Sequence, residues 1–262
     1  MPGYEFAGGG LTNAIPDGDD LLMPMESGAR WHGSRSGLLR WQRSGGRWRP
    51  VEFQPITESD DSIEASVIRD LDGEFLFCAR TQNPGLRDVH PIRVWKSRNQ
   101  GRDWQLVLFA GGISSAPVTI NQAADGAAYI AANRYTYAAH MNQGVPSIEY
   151  FRGPDGKIRS DKGTRETLAL WPLNEARNGL KPPLLIRDGA GELGPPPNGT
   201  WWGIDHPSAM TVHLGDGQWH NVIGFRLYEK AEMTDFVAPT AHTGAYLEEV
   251  ISSGSPIPVW NF

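Results

Sequence analysis

Arg80, Arg134 and Arg226 close three segments built to one plan: an apolar run, an Asp-Gly turn, a second apolar run and a terminal arginine. The segments read EASVIRDLDGEFLFCAR (64–80), APVTINQAADGAAYIAANR (116–134) and PSAMTVHLGDGQWHNVIGFR (207–226). Equivalent ends of equivalent units place three guanidiniums on one ring, where their planar forks of donors form a receptor for a carboxylate or phosphate. The competing arrangement pairs each arginine with an acid on a neighbouring unit. A second constellation uses histidine. DVHPIRVW sets His90 beside Asp88 and Arg93, and GIDHPSAM sets His206 beside Asp205. Histidine or tyrosine with an arginine-neutralised uronate is the equipment of β-elimination, because arginine acidifies the proton next to the carboxylate and the base removes it. Alternatively, the His-Pro steps only fix loop exits. In LGPPPNGTWWGID, Trp201 and Trp202 either stack on a sugar ring or pack the loop against the fold. No metal-ligand spacing of known specificity occurs, and no cofactor is expected.

These residues need hairpins to position them. Asp-Gly between alternating apolar runs is among the strongest short hairpin signals. A weaker copy, NAIPDGDDLLMPMES (13–27), opens the chain and ends in Glu26 where the others end in arginine. The segment VWKSRNQGRDWQLV (94–107) reads as a hairpin too, with Asn99 closing the turn on backbone amides, Gly101 supplying a positive φ and Trp104 buried beneath it. SGGRW at 44–48 reads as a shortened version one unit earlier. The turn glycines Gly18, Gly73, Gly126 and Gly217 are spaced for units of roughly 50 residues, the last gap being wide enough for two shorter units. The expectation is an all-β protein: one β-propeller domain over 1–262, built from four-stranded antiparallel blades. About five blades are expected, either the whole fold or part of a six-bladed ring. Residues 153–205 read as a long irregular insertion, with RETLALWPL as a short helix ended by Pro172. The tail HTGAYLEEVISSGSPIPVWNF reads as a strand closing on the first blade, with Glu248 and Glu249 solvated.

Composition narrows the partners. The 262 residues carry a formal charge of −6, which argues against nucleic acid. Cys78 is the single cysteine and lies in an apolar run, so a buried thiol is expected. No apolar run reaches the ~18 residues of a membrane span. The opening MPGYEFAGGG lacks the basic start and apolar stretch of a signal peptide and does not read as a domain start. A chain cut from a longer one is expected, leaving export open. A monomer that binds an acidic oligosaccharide or polysaccharide is the expected form.

SRNQGRDW fits the Asp-box (BNR) pattern, Ser-x-Asp/Asn-x-Gly-x-x-Trp, and so resembles the sialidase (neuraminidase) superfamily. Glu64 followed by ASVIRDLDGEFLFCAR is similar to the strand pair that carries, in that family, the glutamate partner of a nucleophilic tyrosine and one arginine of a carboxylate-binding triad. The resemblance implies an exo-glycosidase acting on sialic acid or a uronate. Glu64 would activate a tyrosine to attack the anomeric carbon, Asp88 would protonate the leaving oxygen, and Arg80, Arg134 and Arg226 would hold the substrate carboxylate. Tyr135, Tyr137, Tyr150 and Tyr228 compete as nucleophile, Tyr135 being the one carried forward. Arg80, Arg134, Arg226, His90, His206 and Trp202 form the expected substrate-binding set. The family's opening Arg-Ile-Pro is replaced by NAIPDG, with Ala14 in the arginine's place. A polysaccharide lyase and a non-catalytic carbohydrate-binding propeller remain the alternatives.

Overall fold

The computed structural model describes residues 6–9, 14–29, 32–58, 62–81, 92–110, 113, 116–134, 150–152, 158–160, 165, 167–193, 201–213, 219–230, 244–250 and 259–261. The first sheet holds β1 (Phe6–Gly9), β2 (Ile15–Asp17), β3 (Asp20–Ala29), β4 (His32–Ser44) and β5 (Arg47–Pro55). Its order is β1-β3-β4-β5, with β2 also paired to β3. The second follows as β6 (Ser62–Arg69), β7 (Phe75–Thr81), β8 (Ile92–Arg98) and β9 (Asp103–Ala110). The third joins β10 (Thr119–Gln122) and β11 (Ala128–Asn133) to β14 (Thr167–Pro172) and β15 (Leu184–Asp188). Between them lies the separate pair β12 (Tyr150–Arg152) and β13 (Ile158–Ser160). After a short helix α1 (Gly189–Leu193), the fourth sheet runs β16 (Trp201–His213), β17 (Trp219–Lys230), β18 (Gly244–Val250) and β19 (Val259–Asn261).

Antiparallel meanders packed face to face in series are the blades of a β-propeller, and the described residues form four of them. The expectation of about five is corrected by the wide gap between Gly126 and Gly217, which was divided into two units. It is one unit, whose second pair of strands, β14 and β15, follows an excursion through β12 and β13. The helix expected in RETLALWPL is corrected as well. Leu168, Ala169 and Leu170 are nearly fully buried and pair with β11, so burial on both faces accounts for the unbroken apolar run. Within 153–205 the described residues therefore include β13, β14, β15, α1 and the start of β16. The last strand, β19, pairs with β18 inside the fourth sheet, where closure on the first blade was expected.

Each seam between neighbouring sheets has its own core. Leu22, Leu38, Val67, Phe75 and Phe77 fill the first seam, together with Trp95. Leu76, Val94, Ile120, Ile130 and Trp171 fill the second. Tyr129, Leu170, Ile186, Ile204, Ile223 and Phe225 fill the third. Cys78 is fully buried in the second, and burial pushes its thiol well above the ordinary range.

The SRNQG turn joins β8 to β9, the outer strands of the second sheet. SGGRW joins β4 to β5 at the same place in the first. Gly101 has φ +86°, and a side chain there would meet the Phe75 ring at 2.9 Å. Trp104 Nε1 donates to the Gly101 carbonyl at 3.0 Å and packs edge-on to Phe77. The amide role expected of Asn99 falls to Glu74, which accepts from the Gln100 N–H at 3.1 Å and from Ser97 Oγ at 2.6 Å. Asn99 instead donates to Asp103 at 2.7 Å.

Candidate active site

At the ends of the inner hairpins opposite their Asp-Gly turns, two sheets carry the same local irregularity. In β6–β7 the register jumps between Ile63↔Arg80 and Ser66↔Cys78. In β16–β17 it jumps between Asp205↔Arg226 and Ser208↔Gly224. Each bulge puts its first extra residue in the left-handed region, Glu64 at φ 53° and His206 at φ 53°. Neither is a residue that adopts this conformation cheaply, and such strain concentrates at functional sites. Glu64 and His206 are thus structural equivalents, as are Arg80 and Arg226. The bulges turn these side chains out of the strand's alternation.

The first half of the site spans two sheets. Arg80 Nη1 donates to Glu64 Oε2 at 3.0 Å. The Glu64 backbone N–H donates to Glu26 Oε1 at 2.5 Å, so the acid that stands where an arginine closes the other repeats reaches across the seam. Burial is the largest influence on Glu26 and pushes its carboxyl above the usual value. The Glu64 charge adds to this, while the Glu64 N–H and Arg80 oppose it. Beneath this pair, the buried Arg93 donates to Thr81 Oγ1 at 3.1 Å and Ser62 Oγ at 2.7 Å, pinning the mouth of the hairpin.

The second half gathers on Asp205, which is fully buried. Arg226 donates to Oδ1 through Nε at 2.9 Å and Nη2 at 2.8 Å. Arg165 Nη1 reaches Oδ2 at 2.6 Å, and the Tyr228 hydroxyl donates to Oδ2 at 2.7 Å. His206 Nδ1 lies 2.8 Å from Asp205 Oδ1 and 2.6 Å from Arg226 Nη2. One nitrogen cannot serve both partners: unprotonated it accepts from Arg226, protonated it donates to Asp205. Burial alone would push Asp205 up, but the His206 hydrogen bond and the charges of Arg165, His206 and Arg226 outweigh it and hold the carboxyl well below the usual range. Tyr228 is pushed the other way by burial and by the Asp205 charge, so it stays a hydrogen-bond donor. Asn133 braces the group from the third sheet, donating to the Ile204 carbonyl at 2.6 Å and the Thr167 carbonyl at 3.1 Å. Arg165 feels the charges of both Asp205 and Glu64, which links the two halves electrostatically.

The expected site residues distribute as follows. Glu64, Arg80, His206 and Arg226 belong to these clusters. Arg134 is exposed at the end of β11, its backbone N–H donating to the Thr167 carbonyl at 2.9 Å. Trp202 is 3% exposed and gives its ring to the third seam. Asp88, His90 and Tyr135 lie outside the described residues. Arg80 and Arg226 each meet an acid of their own hairpin. Glu26 and Arg165 were missed, although Glu26 marked itself as the odd end of a repeat. Glu248, expected to be solvated, is 1% exposed and ion-pairs across the third seam with Arg187. Among the described residues no group of three or more His, Cys, Asp or Glu could hold a metal ion. No helix among them is long and apolar enough to cross a membrane.

No protein-family model matches the chain, and no curated protein matches it significantly. Solved structures do. A GH43 β-1,3-galactosidase aligns over 97% of this chain and 46% of its own, with 10% identity and a TM-score of 0.55. A GH43_12 protein retrieved from a capybara gut metagenome aligns over 98% and 42%, with 11% identity and a TM-score of 0.55. An exo-β-1,3-galactanase from Phanerochaete chrysosporium aligns over 97% and 50%, with 9% identity and a TM-score of 0.54. The chain spans half the length of these proteins or less. At such identities the likeness is one of fold, and the fold it shares is that of β-propeller glycosidases.

Proposed function

We propose that the chain carries the active site of a glycoside hydrolase acting on a carboxylate-bearing sugar. The observation that carries this reading is the contact between Glu26 and Glu64. One carboxyl is pushed toward its protonated form by burial, and the other is ion-paired with Arg80. Two neighbouring carboxyls in unlike environments are the arrangement by which glycosidases divide acid and base work. Glu26 protonates the leaving oxygen, and Glu64 activates the attacking group, either a water or a tyrosine as in sialidases. Arg226, held on Asp205 with its side chain 46% exposed, can turn part of its donor fork toward a substrate carboxylate. The fold shared with GH43 glycosidases supports a carbohydrate substrate.

The test is mass spectrometry of products from sialylated and uronate-containing glycans in ¹⁸O-labelled water, with Glu26→Gln and Glu64→Gln in parallel. One labelled oxygen per cleaved bond, lost in both variants, is the expected result. Equal cleavage by the variants overturns the assignment.

A second reading has its own observation. His206, Arg226 and Tyr228 all meet at Asp205, which assembles a base, a carboxylate neutraliser and a phenol of the kind β-elimination uses. A product that carries a new double bond and no label, lost in His206→Ala, would establish a lyase instead.

A further inference from the structure

Beyond Leu39 and Phe53, the last buried pair of the first sheet, β4 and β5 continue as a ribbon without support from the core. Every residue from Gln42 to Glu52 is exposed. After a register shift between Arg40 and Trp41 the pairing is unbroken to the tip, where Gly45 and Gly46 have φ +59° and +76°, the positive values a tight two-residue hairpin turn requires. Since Leu21 pairs with Trp41 and Asp20 contacts Gln42, the ribbon runs past the Asp17–Asp20 turn, at the end of the first sheet opposite Glu26. It is therefore a feature separate from the site above.

Its composition departs from that of the whole chain. The protein has 30 acids against 24 lysines and arginines, yet no acid occurs between Glu26 and Glu52, a stretch that holds six arginines. Register sorts the ribbon into two faces, because directly paired residues point the same way. Trp41, Pro50, Arg43 and Trp48 share one face; Gln42, Arg49, Ser44 and Arg47 share the other. Trp48 is 42% exposed. Among the described residues, Arg43, Arg47 and Arg49 have no hydrogen-bond or ion-pair partner, while Arg40 at the base pairs with Asp17 and Asp20. The projecting arm thus presents unsatisfied guanidinium forks on both faces, with an indole plane beside one of them.

We propose that this β4–β5 ribbon is a binding arm for an anionic polysaccharide, independent of the catalytic reading. Arginine forks take the carboxylates or sulfates of such a chain two bonds at a time. The Trp48 ring, beside Arg43, stacks on the C–H face of a pyranose. Charge complementarity selects the polymer: the arm is cationic, whereas the chain as a whole, arm included, carries −6 and repels long polyanions that require broad contact. A spaced, moderately charged glycan meets the arm without covering the body. Nucleic acid, dense in phosphate and read over wide basic surfaces, fits it worse.

The experiment is affinity electrophoresis and calorimetry of the whole protein with polygalacturonate, chondroitin sulfate, neutral dextran and duplex DNA at two salt concentrations. The variants are Arg43→Gln/Arg47→Gln/Arg49→Gln combined and, separately, Trp48→Ala; circular dichroism and Tm confirm that both are folded. Expected is salt-sensitive binding to polygalacturonate, chondroitin sulfate or both, and none to dextran. The triple variant should weaken it by about tenfold or more, and Trp48→Ala by about threefold or more. Polygalacturonate carries carboxylates alone and chondroitin sulfate carries both carboxylates and sulfates, so binding to the second polymer alone assigns the contact to sulfate. Unchanged binding in the triple variant, equal binding to dextran, or tighter binding to DNA with Trp48→Ala indifferent would each overturn the proposal.

Discussion

The backbone N–H of Glu64 donates to the carboxyl of Glu26 across the first seam, 2.5 Å away, while the Glu64 side chain turns to Arg80. The left-handed backbone at Glu64 makes this possible, because it directs the amide and the side chain of one residue to two different partners. The strain of a single bulge thus brings an acid and a carboxylate from different sheets to one place.

Replacing Glu26 with Gln should reduce kcat on natural glycans by about 10²–10⁴-fold, the usual worth of a general acid. Loss should be much smaller on aryl glycosides whose leaving group needs no proton. Because the acid works protonated and its carboxyl is shifted upward, wild-type activity should fall as pH rises through that shifted value. In Glu26→Gln the falling limb should be absent from the kcat/KM profile.

Asp205→Asn leaves Arg165, Arg226 and His206 without their shared counter-charge at a fully buried position. Breaking such a cluster costs about 3–5 kcal/mol, measurable by urea denaturation. Asp205 is held below its unfolded value, so its stabilisation is present above roughly pH 4 and is lost as pH falls through the folded value. The variant should show a flatter acid limb of stability than the wild type.

Glu248 behaves in the opposite sense. Burial, outweighing the charge of Arg187, raises its carboxyl to about 7, with Glu192 adding to the rise. A raised value favours the folded state while the group is protonated. Its contribution is complete below the ordinary value of 4.5 and is lost as pH rises through about 7. Tm measured between pH 5 and 8 should decline in the wild type, and this component should vanish in Glu248→Gln.

Gly101→Ala combines a positive φ with a contact of 2.9 Å to the Phe75 ring, so it should cost about 1–3 kcal/mol. Glu74→Ala removes the acceptor shared by Ser97 and Gln100 and should cost about 1–2 kcal/mol. Chemical denaturation of both variants checks these values, and activity on small substrates should be retained.

Much of the fold was legible because hairpin chemistry is local. Gly18, Gly73 and Gly126 all have positive φ, and each marks the turn of an inner hairpin. The pairing of Arg80 with a site acid was foreseeable from their common segment. The equivalence of Glu64 and His206 was hidden by length: Ser66 pairs with Cys78, but Ser208 pairs with Gly224, so aligning the segments on their turns offsets the bulges. Arg165 belongs to no repeat and reaches Asp205 across 40 residues, a contact that only packing can specify. Glu248 was misplaced because the strand alternation of GAYLEEV does not reveal that the face it shares with Val250 meets the neighbouring sheet.

The separate core of each seam implies that the protein does not open as one unit. Sheets two and three are clamped on both sides, whereas among the described residues sheets one and four each share a single seam. Native-state hydrogen exchange should therefore be graded, with amides of Phe77 and Ile130 surviving longest and those of β5 and β18 exchanging through smaller openings. Glu26 and Asp205 ride on the two less protected sheets. A partial opening that leaves the centre intact would then separate the halves of the site, giving loss of activity at a lower denaturant concentration than loss of the core.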